Sequence, residues 1–201
     1  MPDVFVGLTA LKFLYLSNNS LSQIPGTARH LTDLNYLNIT DNIFTILPSW
    51  LDKLKSLTEI RMYNNKLGAL PEQIGGLASL QELHVMNNLL EELPSELVLC
   101  KRLKKLLLQS NRLVNLPEEF GELEVLSELD LRFNALTDLP ESMAKLTRLR
   151  FLDLRANMLT TLPDWLALLP SLEKLDLRWN RLTSLPAAFR ELEERGCVIY
   201  L

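Results

Sequence analysis

Asparagine recurs every 23 residues along this chain, at Asn19, Asn42, Asn65, Asn88, Asn111, Asn134, Asn157 and Asn180, with no slip across eight copies. A fixed period of this length marks a solenoid, in which each unit buries its apolar face only by stacking on its neighbours. Other positions keep the same step. Apolar residues Leu16, Ile39, Met62, Val85, Leu108, Leu131, Leu154 and Leu177 lie three before each asparagine, and Pro25, Pro48, Pro71, Pro94, Pro117, Pro140, Pro163 and Pro186 lie six after. A length of 201 residues would by itself allow one or two globular domains. The period reduces that to one continuous array.

The two halves of a unit differ in their apolar spacing. In the seventh copy, Leu152-Asp153-Leu154-Arg155 alternates apolar with polar, as a short strand with one buried face does. After Pro163 the apolar residues return every third position, at Leu166 and Leu169, which suits a single helical or 3-10 turn. Proline fits the first position of such a turn, where its φ is already correct and its missing N–H is not needed. Glu72, Glu118, Glu141 and Asp164, each next after a proline, favour the same N-terminus. The asparagine, placed where the chain leaves the strand, is expected to be buried, with its amide satisfying backbone groups of its own and the next repeat.

The full unit, L-x-x-L-x-L-x-x-N-x-L-x-x-L-P, resembles the leucine-rich repeat family in its 23-residue intracellular or bacterial subclass. The resemblance covers essentially the whole chain. It implies an α/β solenoid, a right-handed curved horseshoe arc with parallel β-strands on the concave face and short helical or 3-10 turns on the convex face. Strands stack at roughly 4.8 Å while the bulkier backs need more room, so the stack bends toward the strands. A single leucine-rich repeat domain over 1–201 is expected, with eight full repeats, a partial repeat at 1–8 and a C-terminal cap at 187–201. Phe5 and Leu8 hold the phase of Leu51 and Leu54, and Pro2 that of Pro25. At the other end Arg190-Glu191-Leu192-Glu193-Glu194-Arg195 is densely charged, and a last strand is expected at Cys197-Val198-Ile199-Tyr200. The N-terminus reads as a cut edge, as in a fragment of a longer protein. The alternative is a complete small protein whose first half-repeat is its own cap.

Leucine supplies 50 of the residues, yet mean hydropathy is only +0.06, because the leucines are dispersed among polar residues. No stretch reaches the roughly 18 apolar residues of a membrane span. Neither a basic n-region nor a long apolar h-region opens the sequence, so a cytoplasmic location is expected, with a secreted effector as the alternative. Cys100 stands where other copies carry leucine and reads as a small buried hydrophobe, and two unclustered cysteines make no disulfide framework. Net charge is −4, which argues against nonspecific contact with nucleic acid or an anionic membrane.

No Gly-rich phosphate loop, G-x-S-x-G elbow or H-E-x-x-H motif interrupts the repeat. Neither His30 nor His84 has a cysteine or a second histidine at ligand spacing, so no metal or cofactor is expected. Function is therefore expected on the concave face, at the residues four and two before each asparagine. The first column reads Tyr15, Asn38, Arg61, His84, Leu107, Asp130, Asp153, Asp176; the second reads Ser17, Thr40, Tyr63, Met86, Gln109, Arg132, Arg155, Arg178. In the last three copies Asp stands beside Arg throughout. That ladder reads as a self-paired charge lattice or as a docking strip, with Phe133, Trp179 and Phe151 as anchors beside it. In the first five copies the columns vary, and Tyr15, Tyr36, Arg61, Tyr63, His84, Met86 and Leu107 form the aromatic, Met and Arg mixture found at interface hot spots. Trp50 and Trp165, two after a proline, read as packing residues of the convex side. The expected activity is non-enzymatic binding of a protein or peptide on the concave face. The alternative is the sensor or substrate-recruiting domain of a larger signalling enzyme, such as a kinase or an effector ubiquitin ligase.

Overall fold

The computed structural model describes residues 4–201; Pro2, expected to open the proline column, lies outside the described residues. Among the described residues nine three-residue strands form one open, curved, parallel sheet in sequence order. They are β1 (Phe13–Tyr15), β2 (Tyr36–Asn38), β3 (Glu59–Arg61), β4 (Glu82–His84), β5 (Lys105–Leu107), β6 (Glu128–Asp130), β7 (Phe151–Asp153), β8 (Lys174–Asp176) and β9 (Val198–Tyr200). Register advances by one repeat at each step, as in Leu14↔Leu37 and Leu152↔Leu175. The last step differs: Leu175 pairs with Ile199, one residue further along, and the helix α1 (Phe189–Glu194) between β8 and β9 takes up the extra residue.

Each of β1 to β8 buries its central residue and turns the flanking two toward the concave side, as in Tyr36 and Asn38 around Leu37, whereas Ile199 at the centre of β9 is only half-buried. The strands are thus shifted one residue toward the N-terminus of the expected Leu152–Arg155 segment. Backbone pairing nevertheless continues past them, with Leu154 N–H donating to Asp176 at 2.9 Å and Ala156 N–H to Arg178 at 2.9 Å. The residue just before the asparagine then turns the chain in the left-handed region. Asn18, Asp41, Asn64, Asn87, Ser110, Phe133, Ala156 and Trp179 all have φ between 52° and 61°.

The asparagines stitch this corner to the preceding repeat, not to the following one as expected. Asn65 Oδ1 accepts from Phe44 N–H at 3.0 Å, and its Nδ2 donates back to Ile39 at 3.0 Å and within its own repeat to Met62 at 3.1 Å and Tyr63 at 3.3 Å. Asn19 departs from the expected burial: it is exposed, and among the described residues its side chain bonds to the carbonyls of Leu16 and Ser17 of its own repeat. Further on, short 3-10 turns cover the back, for example Glu72–Gly76, Ser95–Leu99 and Asp164–Leu168. Proline caps the turn one position earlier than expected. Pro71, with φ −74° and ψ 150°, is extended, and its carbonyl accepts from Ile74 at 2.9 Å.

Between sheet and turns runs one apolar core of stacked leucines, widened by fully buried Phe44 and Phe120. Cys100 lies fully inside it, its Sγ donating to the Ile74 carbonyl at 3.2 Å, and burial pushes its thiol up to about 11. Trp165 is buried and Trp50 packs against the core, so both belong to the convex wall. Phe5 is buried as its phase requires, whereas Leu8 is exposed. At the other end Phe189 and Leu192 of α1 join the core, and Arg195 donates to the carbonyls of Ala167 and Leu169.

Candidate functional site

Three outward columns line the concave face. Besides those four and two before each asparagine there is a third, six before: Phe13, Tyr36, Glu59, Glu82, Lys105, Glu128, Phe151 and Lys174, the first residue of each strand. Only Tyr36 and Phe151 of this column were picked out from sequence. The signal was available, since the alternation that exposes Tyr15 continues one step back to Phe13.

Over the first three repeats the columns form an aromatic strip. Phe13 and Tyr15 are 58% and 64% exposed, and the Tyr36 ring lies between them, 6.5 Å and 5.0 Å from their centroids. Arg61 stacks over the other side of Tyr36 at 5.7 Å, while its Nε donates to Glu59 at 2.6 Å. Burial raises the Tyr36 hydroxyl pKa against the pull of Arg61. Asn38 bridges the strip to the next column, donating to the Tyr36 hydroxyl at 3.3 Å and accepting from Thr40 Oγ1 at 2.8 Å. Tyr63, half-buried, continues it.

In the middle of the sheet Met86, Leu107 and Gln109 are half-buried, and His84 is buried rather than presented to solvent. Its Nε2 faces Glu82 at 3.1 Å. Glu59, Glu82 and His84 bring one potential metal-binding atom each to within 4.8 Å of one another. Sequence reading missed this group because its members come from adjacent repeats rather than from one local motif.

The Asp/Arg ladder of repeats six to eight is paired within itself. Arg155 binds Asp153 at 2.6 Å and Asp176 at 3.2 Å; Arg178 binds Asp176 at 2.7 Å; Arg132 binds Asp130 at 3.2 Å and donates to Gln109 at 2.6 Å. The two ends of the acidic column titrate in opposite directions. Burial pushes Asp130 up to about 6, with Arg132 opposing and Asp153 adding to the rise. Asp176, buried as well, is held below the ordinary aspartate value because hydrogen bonds from Arg178 and the charges of Arg155 and Arg178 outweigh desolvation. A hollow of about 330 Å³ opens between β6 and β7, lined by Asp130, Asp153, Phe151 and Lys174. On the rim Phe133 and Trp179, 46% and 66% exposed, lean together with centroids 6.0 Å apart. Arg178 lies between the Trp179 ring, at 6.0 Å, and the Tyr200 ring of β9, at 5.0 Å.

The family model "Leucine rich repeat" matches residues 1–44, 101–159 and 126–182, more than half of the chain. Among curated proteins none matches it. Of solved structures, the chain is similar to an LRR protein of Leptospira interrogans, at 31% identity and a TM-score of 0.82, covering 97% of this chain and 55% of that one. It is also similar to the Toll–Spatzle complex of Drosophila (30% identity, TM-score 0.87, 98% of this chain and 27% of that one). A third is the TLR13–ssRNA13 complex (29% identity, TM-score 0.78, 88% and 26%). The chain thus spans about half the length of the Leptospira protein and about a quarter of the other two. Among the described residues no helix is long and apolar enough to cross a membrane, and both cysteines are free. The fold is of an interaction-module type whose neighbours engage protein and RNA. By its repeat, its sheet and its family match, the chain belongs to the leucine-rich repeat family.

Proposed function

We propose that this chain is a non-enzymatic recognition module that binds a protein or peptide partner on its concave face, across repeats one to five. The observation that carries this reading is the contrast between the two halves of that face. In the C-terminal half every ladder arginine already has a carboxylate of the same ladder, and such pairs gain little from a new partner. In the N-terminal half Phe13, Tyr15, Tyr36, Tyr63, Met86 and Leu107 offer contiguous apolar and aromatic surface with Arg61 set among them. Contiguity on one sheet face is what separates an interaction surface from scattered exposed residues.

A protein or peptide suits this face better than a nucleic acid. Net charge is −4, and the columns carry Glu59, Glu82, Glu128, Asp130, Asp153 and Asp176 among their cations, a poor match for a phosphate backbone. Size also bears on the partner. Four steps of about 4.8 Å between the first five strands, by five residues of about 3.3 Å, give a flat strip of roughly 19 Å by 17 Å. A standard interface needs about 800 Å² per partner, so a partner of that class also covers surface beside this strip.

Replacing Tyr63, Met86 and Leu107 together by Ser should abolish partner capture in a pull-down while leaving the circular dichroism spectrum unchanged. Capture that survives this triple change but is lost when Arg132, Arg155 and Arg178 are reversed to Glu would move the site to the C-terminal ladder.

A further inference from the structure

Glu59 on β3 and Glu82 on β4 are direct register partners. Like charges placed opposite each other on neighbouring strands are destabilising, and the stacking of the repeats holds these two in place. Their neighbours relieve only one of them. Arg61 donates to Glu59 at 2.6 Å. Lys105, the register partner of Glu82 on the other side, turns away to Glu128 at 2.8 Å. Among the described residues Glu82 is left with the imidazole of His84 as its side-chain partner. That imidazole is 10% exposed, so packing of the sheet fixes its orientation.

We propose that Glu59, Glu82 and His84 form a binding site for a divalent transition-metal ion of the zinc class, open on the concave side. One imidazole and two carboxylates are a donor set that suits such an ion, and three protein ligands leave a coordination position free. Magnesium and calcium fit poorly, because they require six or more oxygen donors. Bonds of about 2.1 Å at tetrahedral angles set donor atoms roughly 3.4 Å apart. The His84 to Glu82 separation of 3.1 Å is already close to that, and rotation of the Glu59 carboxyl closes the remaining gap within the 4.8 Å cluster. Arg61 does not have to leave. It holds Oε1 of Glu59, so Oε2 is the ligand and the guanidinium orients the carboxylate from outside. A bound dication also removes the Glu59–Glu82 repulsion that the register imposes. The site requires no partner, so it stands or falls apart from the docking reading above.

Calorimetric titration of the full chain, without a histidine tag, with zinc chloride at pH 7.5 tests this. One equivalent should bind, with magnesium chloride giving no comparable heat. His84→Ala and, separately, Glu82→Gln should weaken binding at least tenfold, while His30→Ala leaves it unchanged. Glu82 is half-exposed, so its Gln variant reads the site even if His84→Ala fails to fold. The imidazole proton resonances of His84 should shift or broaden on zinc addition, and those of His30 should not. The proposal is overturned if zinc gives no saturable heat, if folded His84→Ala or Glu82→Gln binds as the parent does, or if His30→Ala removes the binding.

Discussion

A single buried asparagine shows how one side chain can define a repeat. Asn65 makes four hydrogen bonds, two of them to backbone of the previous repeat, so no aliphatic residue of similar size can replace it. Asn65→Leu should leave Phe44 N–H and the carbonyls unpaired, at about 1–3 kcal/mol for each orphaned group, and lower the thermal midpoint accordingly. An unchanged melt would contradict the role. The position before it tells a different story. In the early repeats this left-handed corner is itself a ladder, Asn64 donating to Asp41 at 2.6 Å and Asn87 to Asn64 at 2.7 Å, and Asn and Asp tolerate positive φ. From repeat five it carries Ser110, Phe133, Ala156 and Trp179 instead. Ala156→Asn should therefore stabilise the chain by about 0.5–1 kcal/mol in chemical denaturation. The two large aromatic residues at this corner, Phe133 and Trp179, are exposed and pair with each other at 6.0 Å. In the acidic column, Asp130 should titrate near 6 by carbon-detected NMR, against 3.8 for an unshifted aspartate. A raised carboxylate means the native state holds its proton more tightly than the unfolded state does. This residue's contribution therefore rises as pH falls from about 6 toward 4. Asp176, shifted down, acts oppositely and loses its contribution in more acidic solution.

At the scale of elements, the first eight strands each bury their central side chain, while the turns behind them carry the closest packing. A Cβ placed on Gly121 would lie 1.7 Å from the Ser142 carbonyl oxygen of the next repeat, and Gly121 N–H donates to Ser142 Oγ at 2.9 Å. Neither backbone can give way without breaking the stack. Gly121→Ala should cost at least about 3 kcal/mol, read as a lower urea midpoint. Tolerance of alanine there would mean that the turns stack more loosely than described. Much of this level was legible in the sequence. Strand, turn and core positions follow from period 23 because the inner copies repeat the same burial, and Leu152, Leu154, Leu166 and Leu169 are all buried as expected, whereas the end copies depart from it at Leu8 and Asn19. What escaped was set by backbone geometry, not side-chain type. The left-handed corner bears six different residue types, so no residue pattern announces it. The column from Phe13 to Lys174 mixes aromatic, acidic and basic side chains, and only the pleat of the strand puts it on the concave face.

On the scale of the whole molecule, the regular positions build an arc and the irregular ones give it a surface. The candidate face was half legible. Two of the three concave columns could be read by counting from the asparagines, and the self-pairing of the Asp/Arg ladder was one of two readings left open. The burial of His84 and the arrival of Glu59 beside the Glu82–His84 pair were not legible, because Glu59 and Glu82, 23 residues apart, become neighbours only through the register. The central claim is that a partner docks on the concave face, and placing a photo-crosslinking amino acid at single positions tests it most directly. Introduced at Tyr63, on that face, it should give a discrete adduct with a protein from the native cell. Introduced at Leu99, 55% exposed on a convex turn, it should give none. The same adduct from Leu99 and nothing from Tyr63 would contradict the account.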